Sequence, residues 1–426
     1  MIAGEPDRIE TNERWDSAAS DKKTITAVDL FAGAGGFGLG FVMAGYKLSL
    51  AVEIDAWACD TLRYNPHGLK VIQGDITHLH WKSAIRALIP KKPDIIFGGP
   101  PCQGFSIAGP ARKDPSDPRN SLFMNFVEWV GTLQPKVFVM ENVKGLLARK
   151  NSSGESVIEI IKASFVAQGY HVEVWSLCAA NYGVPQVRDR IFIVGHKGSK
   201  VIGSPPPTHS LLSSSIDMEL CLDGTNSLQP VVTLWDAISD LPELGAGEGQ
   251  EEQPYQASAK TPFQKLARKG SKVLYNHVAM SHSKRLVERF RHIGFGQSIS
   301  DVPMEHGPQR RNGKGELSAN GGYDQNNRRL FPHRPSHTIA ASFYANFLHP
   351  FEHRNLTARE GARIQSFPDW YRFLGKKTVV SQKLLIREER NDEKFLCQYN
   401  QVGNAVPPLL AKAIATHLKR RLFNEN

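Results

Sequence analysis

One stretch of the chain decides the fold: Asp29-Leu30-Phe31-Ala32-Gly33-Ala34-Gly35-Gly36-Phe37-Gly38, at the end of an apolar run that begins at residue 24. The apolar run predicts a β-strand, and the glycines after it predict a tight turn that opens a helix. Glycine lets a backbone approach a ligand closely, and the first N–H groups of a helix are free to donate to that ligand. The pattern indicates a nucleotide-like ligand, although a strand-to-helix turn without any ligand needs the same glycines.

Two carboxylates downstream narrow the chemical class of ligand that the glycine turn is expected to bind. Glu53 lies at the end of the next apolar run, 48–55, and Asp75 follows a third run, 69–74. Acids in these places accept hydrogen bonds from a ribose diol and an adenine amino group, whereas a phosphate-rich ligand would prefer basic or neutral neighbours. Each acid alone is typical of a helix N-cap or a solvated strand end. Together with the glycine turn, the two acids predict an adenosyl ligand without phosphates.

The first half of the chain alternates short apolar runs with helical patterns. Strands are predicted at 24–31, 48–55, 69–74, 94–98, 136–141, 171–177 and 190–195, and helices at 56–64, 81–89, 121–133 and 156–168. Apolar strands that alternate with helices predict an α/β fold with a mostly parallel sheet covered on both faces. Ligands of such sheets bind at the carboxyl ends of the strands. A last helix is predicted at 409–422.

Beyond Gly195 the alternation stops and the charge pattern changes. Residues 211–259 hold nine acids and no Lys or Arg, and residues 261–330 hold 13 basic residues against five acids. Two solvated surfaces of opposite sign would account for this pattern. The sharper interpretation is a second, irregular domain whose basic face binds a polyanion, in a chain of net charge +10.

Length and composition exclude several classes of protein. At 426 residues the chain is long enough for two domains, and 41% hydrophobic residues predict packed cores rather than disorder. No apolar run reaches the roughly 18 residues of a membrane span, and the polar first residues are unlike a signal peptide. The five cysteines are far apart without a CxxC pair, which favours a reducing compartment. We predict no metal site, because the histidines of the second domain are typical of solvated or base-contacting residues: His277, His282, His292, His306, His333 and His337.

A cysteine held by two prolines follows the fourth predicted strand, in the motif GGPPCQGFS at 98–106. The prolines restrict the backbone, so Cys102 is presented outside the sheet as a candidate nucleophile. A buried structural cysteine is the commoner case. That interpretation suits Cys59 and Cys178, which lie in apolar patterns, better than it suits Cys102 among turn residues.

Charged residues at the same edge of the sheet would complete such a site. Glu141, in the motif ENV, ends the fifth predicted strand, so the sheet places its carboxyl group on the side of Cys102. Arg188 and Arg190, in the motif QVRDR, lead into the last strand and offer guanidinium groups to an anion or a polarised carbonyl. A solvated strand-end glutamate and a surface pair with the intervening aspartate are the alternatives that these motifs leave open.

Taken in order, these motifs resemble those of the DNA (cytosine-5-)-methyltransferases. DLFAGAGGFGLGF resembles the cofactor loop of that family, and GGPPCQGFS resembles its nucleophile motif. ENV, QVRDR, REGARIQSFP at 359–368 and QVGNAV at 401–406 complete the set. The match covers roughly residues 24–200 and 330–415, and six blocks in one order make the combination highly specific.

The resemblance implies an α/β fold of the S-adenosylmethionine-dependent methyltransferase type, Rossmann-like, with a smaller, irregular DNA-recognition domain. It implies a flexible segment at 1–22, a catalytic and cofactor-binding domain at 23–199, a target-recognition domain at 200–395 and a return to the catalytic domain at 396–426. The connection at 369–400, between the last two motifs, is longer and more charged than the family usually has.

S-adenosylmethionine would be the methyl donor. By motif match, Phe31 would stack on the adenine, Glu53 would bind the ribose, and Asp75 would bind the adenine amino group. The cofactor-binding residues implied in this way are Phe31, Gly33, Gly35, Gly36, Glu53, Ile54, Asp75, Ile76, Pro100 and Asn404.

The implied reaction is methylation at carbon 5 of a cytosine that is flipped out of duplex DNA. A Cys102 thiolate would attack carbon 6, a proton at Glu141 would neutralise N3, and Arg188 or Arg190 would face O2. The loop 103–120 would close over the base. The resemblance further implies a bacterial, cytoplasmic monomer that provides the modification half of a restriction-modification system, with a cognate endonuclease acting as a separate protein.

Other functions stay open at this point. Methylation of an exocyclic amine needs no nucleophile, and its motif carries an aromatic residue where Cys102 follows the two prolines. A tRNA cytosine-5 methyltransferase shares the motifs, but the long basic region favours DNA. A nicotinamide-dependent oxidoreductase explains the glycine turn, but not GPPCQ, ENV and QxRxR together. A catalytically inactive relative would lack catalytic residues, all of which are present here.

Overall fold

The structure of the protein, a computed structural model, describes most of the chain. The described residues are 24–65, 69–77, 89, 91–101, 122–151, 153–210, 228–303, 305–307, 310–311, 317–318, 326–378, 387, 389 and 395–423. Within them, no helix combines the length and the apolar character needed to cross a membrane.

Seven strands form the central sheet: β1 (Thr26–Leu30), β2 (Lys47–Glu53), β3 (Lys70–Gln73), β4 (Ile95–Gly98), β5 (Val137–Val143), β6 (His171–Cys178) and β7 (Asp189–His196). Their spatial order is β3-β2-β1-β4-β5-β7-β6. The neighbours from β3 to β5 are parallel, whereas β7 is antiparallel to both β5 and β6. The α/β fold with a mostly parallel sheet is therefore confirmed, and the reversed direction of β7 is a feature that the apolar pattern does not specify.

The helices are α1 (Gly36–Met43), α2 (Ala56–Tyr64), α3 (Leu122–Leu133), α4 (Val157–Val166), α5 (Leu234–Ile238), α6 (Pro262–Arg268), α7 (Lys284–Arg291), α8 (Phe343–Asn346), α9 (Ala358–Ile364), α10 (Gln398–Asn404) and α11 (Pro408–Leu418). Of these helices, α1 and α11 cover one face of the sheet and α3 and α4 cover the other, which explains why the strands are largely apolar. Phe97 of β4 packs in one apolar cluster with α1 and α11, whereas its neighbour Ile96 packs in another with α3 and α4.

Local signals explain where several helices begin and end. The bounds of α2 are those predicted, and its first turn is fixed by Asp55, whose side chain accepts from the backbone N–H of Ala58 at 2.9 Å. The last predicted helix, 409–422, is observed as α11 followed by a π-helical turn at Lys419–Phe423. The helix predicted at 81–89 lies outside the described residues except for its last position.

The region beyond β7 is built from short elements. Its strands are β8 (His209–Ser210), β9 (Gln229–Pro230), β10 (Gly249–Gln253), β11 (Leu274–Val278), β12 (Arg310–Arg311), β13 (Leu317–Ser318), β14 (Arg328–Arg329) and β15 (Phe347–Leu348). β10 and β11 form an antiparallel pair that the sequence does not predict, since β10 reads GQEEQ and has no apolar alternation. Capping boxes at Thr233 and Thr261 fix the starts of α5 and α6.

An apolar cluster joins this second region to the central sheet, and a buried ion pair stabilises the region internally. Leu39 of α1 shares an apolar cluster with Phe263 and Phe343 of the second region. Arg363 of α9, fully buried, contacts Asp240 Oδ1 at 3.1 Å and Asp369 Oδ2 at 2.6 Å. A buried charge is tolerated only when it is paired and hydrogen-bonded, and this arginine meets both conditions.

The C-terminal helix α11 packs closely against α1, the first helix that the structure describes. α11 crosses α1 at Gly40, where a Cβ atom would overlap the Cβ of Ala411 and lie 2.6 Å from the carbonyl oxygen of Pro408. Only glycine permits this approach without a shift of one helix. Gly40 therefore couples the C-terminal helix to the helix that follows the glycine turn.

We expect Gly40→Ala to lower the free energy of unfolding by about 1–3 kcal/mol, because the added methyl group overpacks the interface of α1 and α11. Gly131→Ala is the matched control, since the nearest atoms to a Cβ there belong to the Gln168 side chain, which can move. It should leave stability unchanged or raise it by about 0.4–1 kcal/mol. Urea unfolding of both variants measures the difference, and a Gly40→Ala protein as stable as the wild type would contradict the close helix contact.

Candidate active site

An ion pair joins two of the predicted catalytic residues at the carboxyl end of β5. Arg190 Nε lies 2.9 Å from Glu141 Oε1, and the two side chains are 16% and 15% exposed. In the register of β5 and β7, Glu141 faces Phe192 and Val143 faces Arg190, so the charged residues are diagonal neighbours on one face of the sheet. The structure thus brings Glu141 and Arg190 into direct contact.

The segment that leads to Cys102 runs beside this ion pair. Glu141 Oε2 is so near Gly99 that a Cβ atom at that position would lie 3.1 Å from it. Asn142, which the sequence analysis leaves without a role, donates from Nδ2 to the carbonyl of Pro100 at 3.4 Å. The motif ENV therefore contacts the backbone at Gly99 and Pro100, whereas Cys102 and Gln103 lie outside the described residues.

Arg188, the other predicted arginine, makes different contacts. Its buried guanidinium donates to the carbonyls of Ile339 at 2.9 Å and Gly403 at 3.3 Å. Burial, reinforced by the positive charge of Arg190, lowers the pKa of Arg188 to about 9. The side chain joins the start of β7 to two later segments of the chain, and of the two arginines only Arg190 is paired with Glu141 within the described part of the protein.

Glu53 lies under the glycine turn at the end of β2. Its Oε2 accepts from the backbone N–H of Gly33 at 2.7 Å, and its Oε1 accepts from those of Ile54 and Asp55, each at 2.9 Å. Burial raises the pKa of Glu53, although these hydrogen bonds oppose the shift. The carboxylate therefore fixes the turn to β2 and keeps lone pairs for a further donor.

The glycine turn adopts a constrained backbone with open space beside it. Phe31, Gly33 and Gly35 have φ angles of +59°, +53° and +78°, a region that glycine adopts freely but phenylalanine rarely does. Such strain is found where a loop contacts a ligand. A Cβ at Gly33 would meet no atom within 4 Å, whereas Gly35 lies against Leu62 and Tyr371. Side chains therefore pack against the turn at Gly35, whereas the space beside Gly33 is open.

The other predicted cofactor residues follow the ends of neighbouring strands. Ile54 is 62% exposed, whereas Ile76 and Pro100 are buried. Asp75, partly buried, accepts from the backbone N–H of Thr77 at 2.9 Å. These residues therefore lie at the same edge of the sheet as the glycine turn and the ion pair.

The C-terminal motif returns to the glycine turn and brings the exposed Asn404 with it. A Cβ at Gly36 would contact the carbonyl of Val406. Gln365 Nε2 donates to the carbonyl of Ala405 at 3.1 Å, and Gln186 Nε2 donates to Gln365 Oε1 at 2.9 Å. Both glutamines stand inside motifs of the sequence, but no local pattern predicts their role, because their partners are distant in sequence.

Known proteins of one family match this chain over most of its length. A family model for C-5 cytosine-specific DNA methylases matches residues 25–420. Type II methyltransferase M.DdeI of Desulfomicrobium norvegicum is 46% identical over 405 residues, which cover 94% of this chain and 90% of that protein. Type II methyltransferase M1.HphI of Haemophilus parahaemolyticus is 36% identical over 94% of this chain and 88% of its own length.

Solved structures agree at the level of the fold. A candidate DNA modification methyltransferase encoded within an E. coli prophage superposes with a TM-score of 0.65 at 25% identity, over 94% of this chain and 99% of that one. The Dnmt2 methyltransferase of S. pombe superposes with a TM-score of 0.53 at 16% identity, over 94% and 100% of the two chains. With the sequence motifs, the sheet order and the family match all in agreement, this chain belongs to the C-5 cytosine-specific DNA methylases.

Proposed function

We propose that this protein methylates carbon 5 of a cytosine flipped out of a specific site in duplex DNA, through a covalent bond between Cys102 and carbon 6. The family match and the Type II methyltransferases among its relatives support cytosine-5 methylation of the restriction-modification type. The observation that carries the finer proposal is the contact of Glu141 with both Arg190 and the segment before Cys102. When the sulfur attacks carbon 6, negative charge develops on N3 and O2 of the ring, and an acid and a cation beside Cys102 would stabilise it.

The methyl donor is S-adenosylmethionine, and its adenosyl group fits the space beside the glycine turn. That space is open at Gly33, and Glu53 ends the neighbouring strand with a buried carboxylate. Phe31 stacks on the adenine, Glu53 accepts from the ribose hydroxyls, and Asp75 accepts from the adenine amino group. Asn404 lines the pocket from the C-terminal motif. When bound, the donor supplies an electrophilic methyl group on a sulfonium.

Cys102 makes carbon 5 nucleophilic. Its thiolate adds to carbon 6, and the resulting enamine lets carbon 5 attack the methyl group, whose bond to the sulfonium breaks to leave a neutral thioether. Loss of the carbon 5 proton to solvent then breaks the bond between sulfur and carbon 6, which restores the aromatic ring and the thiolate. A covalent intermediate of this kind replaces one difficult step by two easier ones.

Glu141 and Arg190 act on the charge that this addition creates. As the sulfur adds, electrons move toward N3 and O2 of the ring. Glu141 in its protonated form delivers a proton to N3 and takes it back when the sulfur leaves, and Arg190, whose Nε lies 2.9 Å from Glu141, faces O2. Preorganised groups aimed at developing charge are a large part of many enzymes' rate enhancement. Arg188 acts as a positioning residue for β7, because its guanidinium is bonded to carbonyl groups.

DNA is bound by the second region, residues 200–395, in which the basic stretch 261–330 contacts phosphates. A base inside the duplex cannot reach Cys102, so the target is rotated out at a cost of about a few kcal/mol. The loop 103–120, which lies outside the described residues, closes over the flipped base. The protein acts as a monomer, and a cognate endonuclease acts separately.

Transfer of a labelled methyl group tests the proposal directly. The wild-type protein should label duplex DNA as 5-methylcytosine and leave tRNA unlabelled. Cys102→Ser should lower the rate about 1000-fold or more, because the nucleophile is lost, whereas Cys178→Ser should keep it. Preferential labelling of tRNA, or an unchanged rate in Cys102→Ser, would contradict the proposed substrate or the proposed nucleophile.

Removal of the Glu53 charge should weaken binding of S-adenosylmethionine. Glu53→Gln should raise the Kd about 10- to 100-fold, the effect of losing hydrogen bonds to a charged acceptor. Because burial raises the pKa of Glu53, wild-type affinity should also fall as the pH drops through that pKa and the carboxylate gains a proton. Asp60→Asn is the control, because the Asp60 side chain is 52% exposed. Calorimetric Kd values should keep this pH dependence in Asp60→Asn and lose it in Glu53→Gln. Equal Kd values in both variants would refute the ribose contact.

The proton at Glu141 is tested by Glu141→Gln, which keeps the shape of the side chain but cannot deliver that proton. We expect kcat to fall about 100- to 10,000-fold with little change in KM for DNA, as for the loss of a general acid. Glu155→Gln, an exposed glutamate outside this edge, is the control. A kcat near that of the wild type in steady-state kinetics would exclude the acid role.

A further inference from the structure

Two histidines and a glutamate form a cluster at the edge of the sheet. His171 and Glu173 are two positions apart on β6, so their side chains lie on one face. His171 is directly opposite His196, which ends β7. A cross-strand pair and the residue two positions along are mutual neighbours in an antiparallel sheet. The fold therefore brings together three side chains of the types that bind transition metals.

The donor atoms of the cluster are close enough to surround one ion. His171 Nε2 is 3.9 Å from Glu173 Oε1, and His196 Nε2 is 4.0 Å from the same oxygen. One ligand atom from each residue lies within 4.8 Å of the others. Ligands at about 2.0–2.1 Å from a tetrahedral ion are about 3.4 Å apart. The two histidine–glutamate distances would have to shorten by about half an ångström, and the distance between the two imidazoles by at most about 1.4 Å. His171, whose side chain is 33% exposed, can supply much of this movement.

His196 is oriented as a metal ligand would be. Its side chain is 3% exposed, and its Nε2 has no hydrogen-bond partner among the described residues. The ring is hydrogen-bonded to the backbone of Lys200, and this bond belongs to Nδ1 because Nε2 is unpartnered. A bond at one ring nitrogen that leaves a lone pair on the other is the usual support of a metal-bound imidazole.

Glu173 is held rigidly beside the two imidazoles. Its Oε1 accepts from the backbone N–H of Ile202 at 2.8 Å, and its Oε2 accepts from that of Gly203 at 2.9 Å and from Trp175 Nε1 at 3.1 Å. These three hydrogen bonds fix the carboxylate, and Oε1 keeps a lone pair for an ion between the histidines.

We propose that His171, Glu173 and His196 bind one Zn²⁺ ion, with a water molecule in the fourth position. Two imidazoles and one carboxylate are a recognised zinc ligand set, whereas calcium and magnesium select sites built of oxygen. Cysteine spacings and the histidines of the second region predict no metal site in the sequence. The ligands of this cluster are distant in sequence and meet only through strand register.

The ion would stabilise the fold and take no part in methyl transfer. Arg190 and His196 are six positions apart on β7, which is about 20 Å along a strand, so the cluster is remote from Glu141. A metal here would tie β6 to β7 and, through the bonds that Glu173 makes, to the segment 200–203. The inference stands independently of the proposed reaction.

Zinc binding is measured by titrating the metal-free, full-length protein with Zn²⁺ against a chromophoric chelator. The wild type should bind one ion at this site, and His171→Ala should weaken that binding by at least about 10- to 100-fold. His333→Ala, the loss of an exposed histidine in the second region, should bind as the wild type does. Cobalt in place of zinc should give the spectrum of a four-coordinate ion with nitrogen and oxygen ligands and no sulfur-to-metal band.

Thermal unfolding gives a second readout. Saturating Zn²⁺ should raise the Tm of the wild type and of His333→Ala by about 2–4 °C and leave that of His171→Ala unchanged. His171 is the residue to replace, because its partial exposure lets the variant fold, which circular dichroism verifies. No tight binding to the wild type, equal affinity in His171→Ala, or cobalt bound through sulfur would each overturn the proposal.

Discussion

The carboxyl ends of β1, β2, β4 and β5 meet at one edge of the sheet, and every part of the candidate site depends on this constraint. Parallel neighbours place the glycine turn, Glu53, the segment before Cys102 and Glu141 side by side, although they are spread over more than 100 residues. β7 runs the other way, so its first residues reach the same edge and bring Arg190 to Glu141. A parallel β7 would have placed that arginine at the opposite end of the sheet.

Buried polar contacts then fix the later segments against this edge. Arg188 is bonded to carbonyl oxygens of Ile339 and Gly403, and Gln365 is bonded to the carbonyl of Ala405. A buried N–H group is costly when it loses its acceptor, so displacement of either partner segment would leave a further donor of Arg188 unpaired. The second region and the C-terminal motif are therefore coupled to β7 by contacts that resist separation. This coupling gives a physical reason why two arginines two positions apart have different environments.

Local patterns made much of this arrangement predictable. Apolar periodicity locates the strands of the sheet within two residues at either end, and a glycine-rich turn after β1 marks the edge of the proposed cofactor site. What the sequence could not give depends on register and packing. The strand at 249–253 is polar throughout, so no alternation reveals it. Arg188 and Arg190 are chemically identical in the sequence and are distinguished only by the contacts that the fold gives each. His171 and His196 become neighbours only when β6 and β7 pair.

The central claim is that this edge of the sheet presents one sulfur to carbon 6 of a flipped cytosine. Duplex DNA with 5-fluorocytosine at the methylated position tests it, because carbon 5 then carries no proton for a base to remove after methyl transfer and elimination is blocked. In the presence of S-adenosylmethionine, mass spectrometry of the digested complex should find the oligonucleotide attached to Cys102. Attachment to another cysteine, or methylation of the ordinary duplex without any trapped complex, would contradict the account.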